Sequence, residues 1–168
     1  MKKILGLIVF LIIPSLVFAD SIVLESTITT TEAAYADHDQ IDTVKTLSGA
    51  FDGTSRKGEI VSVTVLDKVS QSSALTLLFF DESPTVASSD NAALNITDAE
   101  LADKLVCKVE IAAASYQALA ASTISTTNSV GCLVSSKLTD DLYMLVESAG
   151  IPDYTAGTDL VIKIGLKR

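Results

Sequence analysis

Three groups of residues in this chain carry side chains able to do chemistry: a histidine, a set of carboxylates and a cysteine pair. His38, the single histidine, sits between Asp37 and Asp39. Flanking acids can orient an imidazole and hold its proton, which is what a general base needs. The pattern supplies no nucleophile for it to serve, with no GxSxG elbow and no glycine-rich cleft loop, so His38 reads as a solvated loop residue. Asp81, Asp90, Asp98, Glu100 and Asp103 form the densest carboxylate set. A calcium ion needs several such oxygens converging from one flexible loop, and this spacing is not that of an EF-hand. Asp90-Asn91 and Asp98 have the character of turn formers and helix caps. No catalytic, cofactor-binding or metal-binding residue is expected, and no cofactor.

Cys107 and Cys132 are the whole cysteine complement. In an exported chain an even count makes one disulfide possible, Cys107 with Cys132. Each also lies among apolar residues, Leu105-Val106-Cys107 and Cys132-Leu133-Val134, where a free thiol behaves as a small core hydrophobe. Both readings stay open from sequence. A zinc site would need CxxC or Cys/His spacings that do not occur.

The elements that must hold these residues begin after a distinct N-terminal segment. Lys2 and Lys3 precede an apolar run over 4–17, interrupted by Gly6, Pro14 and Ser15, and Val17-Phe18-Ala19 offers small residues where a signal peptidase reads. The expectation is a signal peptide, 1–19, cleaved after Ala19. A retained anchor is the competing reading, but the run is shorter than the roughly 20 residues a span requires. The remainder, 20–168, has the size of a single domain with one core. Removing Lys2 and Lys3 from the 12 basic residues leaves 10 against 21 acidic ones, a net charge of −11. That charge opposes binding to nucleic-acid phosphates, so no nucleic-acid partner is expected, and a membrane only through the N-terminal segment.

Short alternating runs rich in Thr, Ser, Val, Ile and Leu, punctuated by Gly, Asp, Asn and Ser, predict an all-β fold: an antiparallel β-sandwich or jelly roll of about eight strands with one short helix. The strands are expected near 22–30, 42–51, 60–65, 75–80, 104–113, 129–135, 142–147 and 160–166. In 60–65, Val61, Val63 and Val65 should share the buried face, opposite Ser62 and Thr64. In the last strand, Leu160, Ile162, Ile164 and Leu166 should point inward with Lys163 and Lys167 outward, and this strand should close the sheet. Leu77, Leu78, Phe79 and Phe80 do not alternate, which predicts a strand covered on both faces, within the monomer or by a neighbouring subunit. Thr97-Asp98-Ala99-Glu100 matches a capping box and predicts a helix over 98–104. The segments 31–36 and 115–121 read as either helix or loop. Tyr154, in a Pro/Gly-punctuated connection, reads as cover for the end of the sandwich.

The stretch 75–103, LTLLFFDESPTVASSDNAALNITDAELAD, resembles a pattern, "lFD.nP…DNaa..i.dadl", found in small β-rich proteins encoded among the virion structural genes of tailed phages. Three further segments align with that set in the same order. Ala33-Ala34-Tyr35-Ala36 followed by Asp39 is similar to "aaYaagD". The segment 56–68 is similar to "r.GgilqsvtvtDk", and 142–160, through Gly150-Ile151-Pro152-Asp153-Tyr154, to "tLYg.lvsrGtPtyts.sDLtv.lgi". The resemblance covers most of 20–168. It implies a virion structural protein, capsid-associated or a decoration component, that is not an enzyme. Its partners would be other structural proteins or further copies in a homo-oligomer or lattice, with the Ser/Thr-rich outer face and the loop 81–95 meeting neighbours. The N-terminal segment departs from that set, whose members assemble in the cytoplasm. The alternative is a secreted cell-surface or fimbria-like β-sandwich subunit, exported to the periplasm, the cell surface or the medium. Fimbrial subunits of the donor-strand kind carry an early cysteine pair, however, whereas these cysteines come late.

Overall fold

The structure, a computed structural model, describes residues 20–31, 33–53, 55–155 and 157–168; the expected signal segment lies outside the described residues. The strands are β1 (Ser21–Ile28), β2 (Gln40–Leu47), β3 (Lys57–Asp67), β4 (Leu75–Phe80), β5 (Leu105–Ile111), β6 (Gln117–Ala118), β7 (Thr123–Ser135), β8 (Leu142–Ser148) and β9 (Leu160–Lys167). Among the described residues, one helix, α1 (Asp98–Lys104), precedes β5, and one 3-10 turn, Ala113–Ser115, precedes β6. The strands form two antiparallel sheets, ordered β1-β9-β3-β7-β6 and β2-β8-β4-β5. Among the described residues, no helix is long and apolar enough to cross a membrane.

The pairing has a simple logic once the two-residue β6 is set aside. The first strand pairs with the last, β2 with β8, β3 with β7, and β4 with β5. The chain is therefore one antiparallel ribbon, folded back between β4 and β5 and wrapped into two facing sheets, which is the jelly-roll arrangement. β9 does not close its sheet. It lies between β1 and β3, because the ribbon places the first strand outside the last. Alternation reports which face of a strand is buried and is silent about which edge is paired.

The inner faces make the core. Leu160, Ile162, Ile164 and Leu166 of β9 face Leu75, Leu77 and Phe79 of β4 and Leu142, Met144 and Val146 of β8, all buried. Each such side chain contributes about 1.5–3 kcal/mol of transfer free energy. In β3 the expected register is altered by a bulge. Ile60 pairs with Leu166 and Ser62 with Gly165, which leaves Val61 as the extra residue. Ile60, Val63 and Val65 are consequently fully buried, while Val61 is only half-buried. On β7 the matching irregularity uses Gly131 at φ 67° and Ser129 at φ 59°.

The non-alternating β4 is covered on both faces, and the second cover comes from the same chain. Leu78 and Phe80 join Leu145 in a smaller cluster roofed by Val86, Leu94 and Ile96 of the β4–α1 connection and by Leu101 of α1. That connection is therefore a strap whose apolar side chains Val86, Leu94 and Ile96 are committed to the monomer. The helix has the predicted bounds, with the Thr97 hydroxyl accepting from the Glu100 N–H at 3.2 Å. The other half of the capping box is redirected. The Glu100 carboxylate accepts from the Thr85 N–H at 2.9 Å and pairs with Lys104 at 2.8 Å, tying the helix to the strap.

Candidate functional site

The five carboxylates clustered in sequence fall into four places. Asp81 and Asp103 share Lys137, whose ammonium lies 3.5 and 3.2 Å from them. Glu82 and Glu100 share Lys104, at 3.8 and 2.8 Å. Lysines thus stand where a divalent cation would have to sit, and among the described residues no group of three or more ligating side chains converges. Asp98 is left in the first turn of α1, where a negative charge suits the helix dipole.

Asp90 belongs elsewhere, in a polar junction at the opposite side of the strap. Its Oδ1 accepts from the Tyr35 hydroxyl and from the Asp42 N–H, each at 2.8 Å. Tyr35 is almost fully buried, accepts from the Thr31 N–H at 2.8 Å, and meets Tyr154 edge-on with ring centroids 6.0 Å apart. Burial is the main reason its phenol is pushed up to about 12. The backbone closes around the two rings. Tyr35 N–H donates to the Pro152 carbonyl at 2.8 Å, Ala34 bridges Asp153, and Asp39 bridges Ala93. Gln40 exchanges backbone hydrogen bonds of 2.9 Å with Asn91 and Ala92. Asp42, at φ 66°, has its carboxyl raised by burial but lowered further by Lys45 and by the N–H groups of Thr29 and Thr43, so the net direction is downward. Tyr154 covers the end of the sandwich as sequence suggested; its role as partner to Tyr35 could not be read there, because 119 positions separate them.

His38 is exposed and held at φ 68°. Its Nδ1 lies 2.8 Å from Glu147 Oε1 on β8, and its Nε2 lies 3.5 Å from Asp37. The hydrogen bond to Glu147 is the largest cause of an upward shift in its pKa, with the Asp37 charge next. The ring borders a cleft of about 480 Å³ whose polar rim is His38, Thr76, Lys108, Glu110 and Glu147 and whose floor includes Leu75, Ile111 and Ala149. Lys108 pairs with Glu110 at 2.8 Å. The imidazole is thus engaged by carboxylates and not by a serine or threonine hydroxyl, an arrangement that suits an ion pair better than activation of a nucleophile. Glu147 could not be recognised in sequence as its partner; Asp37 and Asp39 were the visible candidates, and Asp39 instead accepts from the Ala36 N–H at 2.7 Å.

Cys107 on β5 and Cys132 on β7 meet as a disulfide with Cα atoms 6.0 Å apart. Because β5 and β7 belong to different sheets, the bond clips the sandwich together across one side. The outer faces of the two sheets differ. The four-stranded sheet is roofed by the strap, whereas the five-stranded sheet presents Val23, Glu25, Thr126, Asn128, Leu133, Lys163 and Lys167 to solvent.

No protein-family model matches this chain, and no curated protein matches it. Among solved structures, one titled Desmodium yellow mottle tymovirus aligns over 99% of this chain and 90% of its own, at 11% identity and a TM-score of 0.27, a level of likeness too low to rest any argument on.

Proposed function

We propose that this protein is a virion structural subunit, capsid-associated or a decoration component, that works through repeated protein contacts and carries out no reaction. The observation that supports this reading best is where the phage-like segments lie. Ala34-Tyr35, Asp39, Asp90-Asn91-Ala92-Ala93 and Pro152-Asp153-Tyr154, drawn from three separate segments, meet in one hydrogen-bonded junction. A pattern whose most distinctive residues hold one fold together is what common architecture would leave in sequence. The jelly-roll wrapping adds support, since virus capsid domains use it; lectins and cupins do too, so the wrapping alone does not choose among them.

Peptide mass spectrometry of purified particles tests the proposal. Recovery of peptides from 20–168 in stoichiometric amounts is expected; absence from particles with recovery from cell envelopes overturns it. The disulfide between the sheets favours a second reading, an exported surface subunit, because such bonds persist in oxidising compartments. N-terminal sequencing addresses it directly: a start at Asp20 supports export, and an intact Met1 opposes it.

A further inference from the structure

We infer that the protein associates head to tail with a second copy of itself, through a lysine-flanked Leu133 on one copy and an aspartate-flanked Ile151 on the next. The inference rests on the reading of the chain as a repeating structural subunit and names the surfaces that would do the work. Leu133 and Ile151 are each 77% exposed, the highest values among the large apolar side chains described. A solvent-facing leucine or isoleucine is unremarkable alone. The charges around these two are what distinguish them.

Leu133 lies across β3 from Lys167, the two being register partners of Glu59 on either side, and Lys57 follows on the same face of β3. Most basic residues in 20–168 have a carboxylate within ion-pair distance, and Lys68 donates to a carbonyl. Among the described residues, Lys57 and Lys167 have neither, and both flank Leu133. Glu59 offsets one of the two charges, which still leaves a positive patch on an otherwise acidic molecule. Shallow hollows of about 280 and 240 Å³ open on either side of the leucine.

Ile151 has the opposite surroundings at the opposite end. β8 starts beside the end of β2, which leads into Gly49, whose carbonyl binds Arg168 and so marks the Lys167 end; Ile151 comes just after β8 finishes. The seven residues of β8 put roughly 20 Å between these ends at the rise of an extended strand. Residues 34–38 run antiparallel to 148–153, which brings the exposed Asp153 and the exposed Asp37, with His38 3.5 Å from it, to the end of the molecule where Ile151 lies. A positive apolar patch at one end and a negative apolar patch at the other complement each other between copies. Such a contact is heterologous and so propagates into a ring or a filament.

Sedimentation velocity of the full chain as its host processes it, across concentration and salt, tests this. Wild type is expected to self-associate, and less so as salt rises from roughly 0.05 to 0.5 M, because exposed charges are screened. Lys57→Glu with Lys167→Glu, and separately Asp37→Lys with Asp153→Lys, should each weaken association by about tenfold, and mixing the two reversed proteins should restore it. Leu133→Ser, at a site with little buried surface to lose, should weaken association with the circular dichroism unchanged. A wild type that stays monomeric up to roughly 1 mM, reversed variants that associate like wild type, or a mixture that stays monomeric overturns the inference. Particle mass spectrometry separates this from the parent reading: a particle-resident protein that never self-associates sinks the interface alone, and a self-associating protein absent from particles sinks the virion role alone.

Discussion

The Tyr35 hydroxyl donates a 2.8 Å hydrogen bond to Asp90 Oδ1 across 55 residues of sequence, and the same oxygen takes the Asp42 N–H. This contact fastens the segment before β2 to the strap that roofs the second sheet. Burying a phenol beside a carboxylate costs desolvation unless both are hydrogen-bonded, and here both are. Tyr35→Phe should therefore cost about 1–2 kcal/mol, since it takes the hydroxyl from both Asp90 and the Thr31 N–H, and Asp90→Ala a comparable amount, since it strands the Tyr35 hydroxyl and the Asp42 N–H. For a chain of this size each kcal/mol lowers Tm by about 2–4 °C. Thermal denaturation of both variants and of the double variant checks it; strictly additive losses would argue against a shared bond.

The strap makes a separate prediction. Phe80 is fully buried in the smaller cluster, so Phe80→Ala should cost about 3–5 kcal/mol and open the strap to protease. Leu133→Ala, on the open face, should change stability by no more than about 0.5 kcal/mol. Limited proteolysis followed by mass spectrometry should place the new cut within 81–97; cutting elsewhere first would show that the roof is not what Phe80 holds.

Reduction of the disulfide between Cys107 and Cys132 releases a loop of sequence separation 25. Chain-entropy arguments put the stabilisation at about 3 kcal/mol. Chemical denaturation with and without reductant should show a drop of that order. Intact mass before and after alkylation should show no free thiol in the oxidised protein; two alkylated cysteines without reductant would contradict the bond.

His38 offers a clean titration because no other histidine is present. Its folded pKa lies above the ordinary imidazole value, first because of the hydrogen bond to Glu147 and then because of Asp37. A raised pKa means that the pair's contribution is fully present below the unfolded value and fades as pH rises through the folded one. NMR of the ring should show a midpoint above about 6.5, lowered more by Glu147→Gln than by Asp37→Asn. The ring is exposed, so a large change in stability across this range would point to some other group.

Sequence by itself located eight of the nine strands among the described residues, the buried face of β9 and the existence of two covers over β4, because these follow from local periodicity and side-chain volume; it missed β6, which lies in the segment 115–121 read as helix or loop, and the first six residues of β7. It also located α1 and its Thr97 cap, since the cap is a three-residue event. Tertiary structure alone decided which strand lies beside which, because wrapping pairs first with last and leaves no local trace. The Val61 bulge was invisible for the same reason: Ile60 and Val63 can both face inward only after β9 and β7 set the register. Tertiary structure also assigned the charges. Asp90 looked like one more member of an acidic cluster and is instead the acceptor for Tyr35. Asp81, Glu82, Glu100 and Asp103 are divided between Lys137 and Lys104, and Glu147 holds the histidine that Asp37 and Asp39 seemed to frame. Electrostatic partners are chosen by distances of a few ångströms in the folded chain, and residues 34, 55 or 109 positions apart come within that range only once the ribbon has been rolled.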